Sequence, residues 1–176
     1  MNNALVPGEV RRQRLEAWIA EYSDAVLRTC YVYLGDMALA EDALQDTFLR
    51  AWRSMDRFEG RNGSSVKTWI IRIAINTCIN YRRSAWHRHI DRRKIIEELP
   101  QGMTAVTDES RTVFLEVMEL PDKLKQAVLL YYYHDLKLEE IGGILKISRS
   151  AVQKRLKKAC ELLKSQLGGS EFDEKR

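Results

Sequence analysis

Apolar residues fall three or four positions apart along almost the whole chain, the period of one face of a helix, and nowhere alternate in the manner of a half-buried strand. Residues 10–34 carry Leu15, Trp18, Ile19, Tyr22, Val26, Cys30, Tyr33 and Leu34 at that spacing. Gly35-Asp36 breaks the run, and it resumes from about Met37 to Met55 with Ala40, Ala43, Leu44, Thr47, Phe48, Ala51 and Trp52 on one face. Residues 56–66, polar and with two glycines, predict a loop. A third helix is predicted over Lys67–Arg83, through Trp69, Ile70, Ile73, Ala74, Thr77, Cys78 and Tyr81. Further helices are predicted at about Arg111–Glu119, from Pro121 to about His134, over Leu138–Leu145 and over Ser148–Leu167. Pro121 suits a first helical turn, where its missing N–H has no helical partner anyway. Only three prolines and nine glycines in 176 residues leave such runs intact, and the fold class is all-α.

Composition shifts between the third and fourth helices. Residues 82–110 hold six Lys/Arg, two of the three histidines and a Pro-Gln-Gly break. This predicts a linker, and with it two small helical domains rather than one large one, the boundary lying within 84–110. Elsewhere the chain is 45% hydrophobic and 31% charged, a globular rather than a disordered composition. No run of about 18 apolar residues predicts a membrane span, and Met1–Glu9 lacks the basic and apolar segments of a secretory signal. Cys30, Cys78 and Cys160 are odd in number and far apart, which argues against a disulfide framework and against close-paired zinc ligation. They are expected to be small apolar residues of helices in a reducing cytoplasm.

The most informative stretch is 137–159, KLEEIGGILKISRSAVQKRLKKA. Ile141, Leu145 and Ile147 have the spacing to meet Val152, Leu156 and Ala159, and Ser148 is placed to cap the second helix. Two helices of these lengths joined by about three residues make a helix-turn-helix. Advancing 100° per residue from Val152 puts Gln153, Lys157, Ser150, Lys154 and Lys158 on one arc opposite Val152, Leu156 and Ala159, with Arg155 at the edge. From Lys146 to Lys164 seven Lys/Arg face a single acid, Glu161, a local +6 that exceeds the +4 of the whole chain. Such an arc suits phosphates, and Arg149, Ser150, Gln153 and Lys154, near the helix N-terminus, suit base edges in a major groove. The bland alternative is a solvated basic face. Gly142 and Gly143 inside the first helix, each costing about 1 kcal/mol against Ala, and Lys146 where such turns often carry Gly, disagree locally with the motif.

The third helix and its preceding loop mix aromatics (Phe58, Trp69, Tyr81), amides (Asn62, Asn76, Asn80) and cations (Arg61, Lys67, Arg72, Arg82, Arg83). That combination suits unpaired bases, which stack on rings and offer their edges to amides while cations hold the backbone. Trp69, Ile73 and Cys78 are better assigned to core. Asn76 and Asn80, four apart on one face, have no propensity reason to lie inside a helix. The second helix opens acidic, with Asp36, Glu41, Asp42 and Asp46 and no intervening Lys or Arg.

Four segments in order, DMALAEDALQDTFLRAW, VKTWIIRIAINTCINYRR, LPDKLKQAVLLYYYHDLKLEEIG and ISRSAVQKRLKKACELLK, resemble the extracytoplasmic-function (ECF, group four) sigma factors of the sigma-70 family, from about Tyr22 to Leu167. The resemblance implies two helical domains, region two over 10–84 and region four over 111–168, joined by a linker over 85–110. It implies a subunit that binds RNA polymerase core and directs it to promoters to initiate transcription. Glu41, Asp42, Gln45, Asp46, Leu49, Arg50 and Arg53 match the segment that docks on the clamp helices of the β′ subunit. Arg61, Asn62, Lys67, Asn76, Asn80, Arg82 and Arg83 match the part that captures and opens the minus-ten element. Arg149, Ser150, Gln153, Lys154, Lys157 and Lys158 match the helix that binds the minus-thirty-five element, in a region that also meets the β flap. An anti-sigma protein, often membrane-bound, is a further implied partner, and the location implied is the cytoplasm, without insertion of this chain into a membrane. The basic linker, with Trp86, His87 and His89, fits either a path along nucleic acid or a solvated tether. Many members carry Asp where this chain has Asn80, and Gly143 and Lys146 also depart from the commoner residues.

Two other readings compete. An enzyme would need a phosphate-binding glycine loop, metal-ligand spacing or clustered carboxylates. None is present: no catalytic residue, metal site or cofactor is expected, since Glu97-Glu98 and Glu139-Glu140 are adjacent pairs that diverge on a helix. A stand-alone helix-turn-helix regulator would need a dimer and half-sites one turn apart.

Overall fold

The computed structural model describes residues 7–58, 65–83 and 108–166, all but the joining turns helical. Packing divides the chain into two units, Met1–Arg88 and His89–Arg176. Residues 84–107, with Trp86, His87 and His89 of the expected linker, and Arg61 and Asn62 lie outside the described residues.

In the first unit α1 (Pro7–Leu34), α2 (Met37–Ser54) and α3 (Val66–Arg83) pack pairwise against one another as a three-helix bundle. The helix α1 starts three residues before the first position expected, with Pro7 in its first turn, where a proline costs no hydrogen bond. It ends at Gly35, whose φ of 71° is the left-handed conformation a helix stop requires. Asp36 then caps α2, its carboxylate accepting from the Leu39 N–H at 3.0 Å. A short 3-10 turn, Met55–Arg57, closes α2. Ser65 opens α3 by accepting from the Thr68 N–H at 3.1 Å. Much of the expected periodic set is core, with Val26, Cys30, Ala40, Ala43, Phe48, Ala51, Ile70, Ala74 and Cys78 buried, whereas Ile73, assigned to core, is half-buried and Ile19 is exposed. All three cysteines are free and buried. Cys30 of α1 and Cys78 of α3, 48 positions apart, share a hydrogen bond between their thiols, and this bond, with burial second, pushes the Cys30 thiol well above its usual range.

The first turns of α1 are fastened to the end of α2. One Arg11 Nη2 donates to the Trp52 carbonyl at 3.0 Å and lies 3.2 Å from Asp56, and the guanidinium stacks over the Trp52 ring at 4.6 Å. A cation at the carbonyl end of α2 also complements the helix dipole. Trp18, Phe58 and Trp69 form an aromatic cluster with centroids 4.8–6.3 Å apart, which gives Trp69 the packing role assigned to it above.

The second unit contains α4 (Asp108–Glu119), α5 (Asp122–Val128), α6 (Leu138–Leu145) and α7 (Arg149–Gln166). Two expectations about the Pro121–His134 helix need correction. Pro121 is the cap of α5 and not its first residue: its ψ of 139° is extended, and its carbonyl accepts from Leu124 and Lys125. The helix is also not uniform, because Leu129–Tyr133 widens into a π turn in which the His134 N–H reaches back to the Leu129 carbonyl at 3.1 Å. Asp135, at φ 57°, ends it, and aspartate tolerates that conformation better than most residues. Ile141, Ile144, Val152, Leu156, Ala159 and Leu163 bury the seam between α6 and α7.

Candidate nucleic-acid and partner-binding surfaces

The turn between α6 and α7 is built from three local devices. Lys146 takes the left-handed conformation, φ 55° and ψ 46°, and ends α6. The Ile147 N–H then reaches the Gly142 carbonyl at 3.0 Å, the six-to-one bond of a helix stop. Ser148 caps α7, accepting from the Ala151 N–H at 3.2 Å. The glycines that disagreed with the motif divide here. Gly142 is required, since a Cβ there would sit 2.8 Å from the Ile147 carbonyl oxygen. Gly143 is exposed. At the start of α6 the Lys137 N–H donates to Glu140 at 2.9 Å, the half of a capping box that a lysine allows.

On α7 the structure separates the two faces as the helical period requires. Val152, Leu156, Ala159, Cys160 and Leu163 are buried. Arg149, Ser150, Gln153, Lys154, Lys157 and Lys158 are all exposed, and Arg155 is half-buried at the margin. Two of the exposed residues at the N-terminal end are held: Arg149 Nε lies 3.2 Å from Glu139 Oε1, and the Ser150 hydroxyl lies 3.0 Å from that of Ser148. The result is a preformed cationic helix face whose first turn is fixed and whose later lysines extend into solvent.

On α3 Asn76 and Asn80 are both exposed on one face, and Lys67 is half-buried near the start of the helix. Arg82 is not a free surface cation: its Nη1 donates to the Tyr33 carbonyl at 3.2 Å and its guanidinium sits 5.8 Å from the Tyr33 ring. It therefore caps the end of α1, a structural duty that sequence reasoning missed, because nothing in the residue pattern pairs positions 49 apart. Of Arg83 only the backbone, at the end of α3, is described.

On α2 Glu41, Asp42, Gln45, Leu49, Arg50 and Arg53 are exposed, while Asp46 is half-buried. Asp46 accepts from the Tyr81 hydroxyl at 3.2 Å, tying α2 to α3, and burial followed by the Asp46 charge raises the Tyr81 pKa. Beside this face α1 and α2 enclose an apolar groove of about 710 Å³, lined by Leu15, Ile19, Gln45, Phe48, Leu49 and Trp52. Leu49 is 52% exposed and Ile19 39%, both large for apolar side chains. The sequence reading named Gln45 and Leu49 but not the α1 wall of the groove. Among the described residues no group of three or more His, Cys, Asp or Glu is placed to hold a metal ion, and no helix is long and apolar enough to cross a membrane.

Comparison with known proteins accounts for both units. Residues 18–88 match the family profile Sigma-70 region 2, and residues 117–165 match Sigma-70, region 4. The chain is 31% identical over 160 residues to the ECF RNA polymerase sigma factor SigW of Bacillus subtilis, covering 83% of this chain and 84% of that protein. This chain belongs to the ECF sigma factors. SigM of the same organism is 30% identical over 152 residues, 82% of this chain and 89% of the relative. Among solved structures, the chain is similar in fold to the sigma factor RpoE of Bartonella quintana in complex with the anti-sigma factor NepR, with a TM-score of 0.73 at 18% identity, covering 90% of this chain and 99% of that one. CnrH in complex with the cytosolic domain of CnrY gives 0.67 at 19% identity over 91% of each chain. As a sigma factor the protein is a transcription initiation subunit of RNA polymerase, with the α1–α3 bundle as its region two and the helix-turn-helix of α6 and α7 within its region four. The first turns of α1, residues 7–17, precede the matched segment.

Proposed function

We propose that this sigma factor carries core polymerase to its promoters with three separate surfaces, and that each corresponds to one helix described above. The exposed face of α2, from Glu41 and Asp42 through Gln45 and Leu49 to Arg50 and Arg53, docks on the β′ clamp helices. The apolar groove beside it receives side chains of that partner, and the acidic start of α2 meets a basic partner surface. Asp46 belongs to this set through its bond to Tyr81, holding the docking helix rather than touching the partner. The second surface is α3, where Asn76 and Asn80 take the edges of unstacked bases of the minus-ten element and Lys67 and Arg83, with Arg61 and Asn62 before the helix, hold phosphates. Arg82 contributes by fixing the end of α1. The third is α7, whose Arg149, Ser150, Gln153, Lys154, Lys157 and Lys158 read the minus-thirty-five element, in a region that also meets the β flap.

The observation that carries this reading is the pairing, in one chain, of a duplex-type helix-turn-helix face with a separate helix whose exposed amides have no part in its packing. A stand-alone regulator uses only the first. Residues 85–110 act as the tether between region two and region four, and the subunit works where the polymerase is, in the cytoplasm. An anti-sigma protein covers these surfaces when the subunit is silent. Support for that comes from RpoE of Bartonella quintana, a sigma factor of this fold solved in complex with the anti-sigma factor NepR.

The test separates binding from melting. Asn80→Ala is expected to leave closed-complex binding close to wild type while reducing permanganate reactivity of minus-ten thymines by about tenfold or more, the loss of a base-edge contact of about 1–3 kcal/mol. Unchanged reactivity overturns the assignment of α3 to strand capture.

A further inference from the structure

Arg149 is the first residue of α7, the end of a helix where the dipole disfavours a cation. Across the turn, Glu139 in the first turn of α6 places Oε1 3.2 Å from its Nε. Both side chains are 63% exposed, so the pair contributes little to the fold, as exposed ion pairs generally do. The backbone nonetheless brings the two positions together, because Gly142, Lys146 and Ser148 set the turn between residues 139 and 149.

A guanidinium has five N–H donors in a planar fork. Engaging the Nε edge leaves the terminal Nη pair, the edge that donates bidentately to O6 and N7 of guanine. We propose that Glu139 is a positioning residue for promoter recognition: it grips Arg149 by the Nε edge and presents the terminal edge to a guanine in the major groove of the minus-thirty-five element. The inference rests on the reading of α7 as the duplex-reading helix and adds a residue outside that helix. Ser148 does the same for the neighbouring Ser150, so the first turn of α7 meets DNA with its side chains already ordered. Preorganisation of this kind lowers the ordering cost of binding and sharpens discrimination, because a wrong base meets a group that does not adapt.

Charge gives the proposal a signature. A carboxylate close to the phosphate backbone weakens binding to all DNA, so Glu139 lowers general affinity while it raises selectivity. Removing it therefore moves the two quantities in opposite directions, which loss of a merely structural contact does not do.

The experiment uses the full chain with core polymerase and a promoter fragment whose start site has been mapped, together with every single base-pair substitution across the minus-thirty-five element. Glu139→Gln is expected to reduce discrimination at one G·C pair by about fivefold or more, with affinity for non-promoter DNA unchanged or increased. Arg149→Ala is expected to relax the same base pair, and Glu139→Gln on that background to cause no further loss of discrimination. Unchanged discrimination in Glu139→Gln overturns the inference. So does a uniform loss across all fragments, or a further loss of discrimination in the Arg149→Ala background. If Arg149→Ala and Gln153→Ala are also silent on duplex recognition, the assignment of α7 falls and takes the inference with it. If they impair recognition while Glu139→Gln does not, only the role of Glu139 is lost.

Discussion

Single residues in the α6–α7 turn show how much one atom decides. Gly142 has no room for a methyl group, whose carbon would lie 2.8 Å from a backbone oxygen. Gly142→Ala is therefore expected to destabilise the second unit by about 1–3 kcal/mol, read from urea unfolding. Lys146 is the reverse case, a side chain held at φ 55°, where left-handed backbone costs an L-residue about 1–2 kcal/mol. Lys146→Gly is expected to recover about 0.5–1 kcal/mol after glycine's own entropy cost. The pair shows what was legible: the helix-turn-helix followed from Ile141, Ser148 and Val152, but which glycine mattered did not, because the oxygen that Gly142 avoids belongs to a residue whose position only the folded turn defines. The thiols make the same point. Sequence separation hid the contact of Cys30 with Cys78, which only helix packing creates. Iodoacetamide at pH 8 is expected to spare both in the folded protein and label them in denaturant. Because folding raises the Cys30 pKa, the folded state keeps a proton that the unfolded chain releases above the ordinary thiol value of about 8.5. Its contribution to stability is complete below that pH and lost as pH rises through the folded pKa. Steeper alkaline loss in Cys30→Ser than in wild type would contradict this.

At the scale of helices, periodicity placed every α-helix among the described residues to within a few positions, since most bury one face; α5 differs, buried at every position from Leu124 to Val128. The failures lie where backbone geometry departs from that period. The π turn at Leu129–Tyr133 adds a residue to the helix without interrupting its apolar run, so LLYYY looks like ordinary helix in sequence. Arg82 stands among the nucleic-acid cations in composition and by resemblance, and its bond to Tyr33 adds a structural duty at the α1 terminus that periodicity does not show. Arg82→Ala is therefore expected to lower the thermal stability of the protein, whereas Lys157→Ala, at an exposed position of α7, is not. Lys157→Ala is instead expected to weaken binding of all DNA sequences alike and reduce the slope of log affinity against log salt by about one. An unchanged slope would remove Lys157 from the phosphate contacts.

For the whole molecule, the net charge of +4 is uninformative until it is resolved into an acidic start on α2 and a +6 stretch over Lys146–Lys164. One surface suits a protein partner and the other DNA, and they belong to different units. That division is what a subunit needs if it must hold polymerase and read a promoter at once, and it was visible in sequence as a shift of composition over residues 82–110. The groove between α1 and α2 was not visible, because its α1 wall lies among residues whose apolar spacing shows only that they pack. The most direct test is transcription in vitro with the purified protein, bacterial core polymerase and fragmented genomic DNA of the source organism, followed by mapping of run-off products. The account predicts discrete start sites that depend on the protein, each preceded by two shared elements. Absence of specific initiation, together with absence of binding to core polymerase, would contradict it.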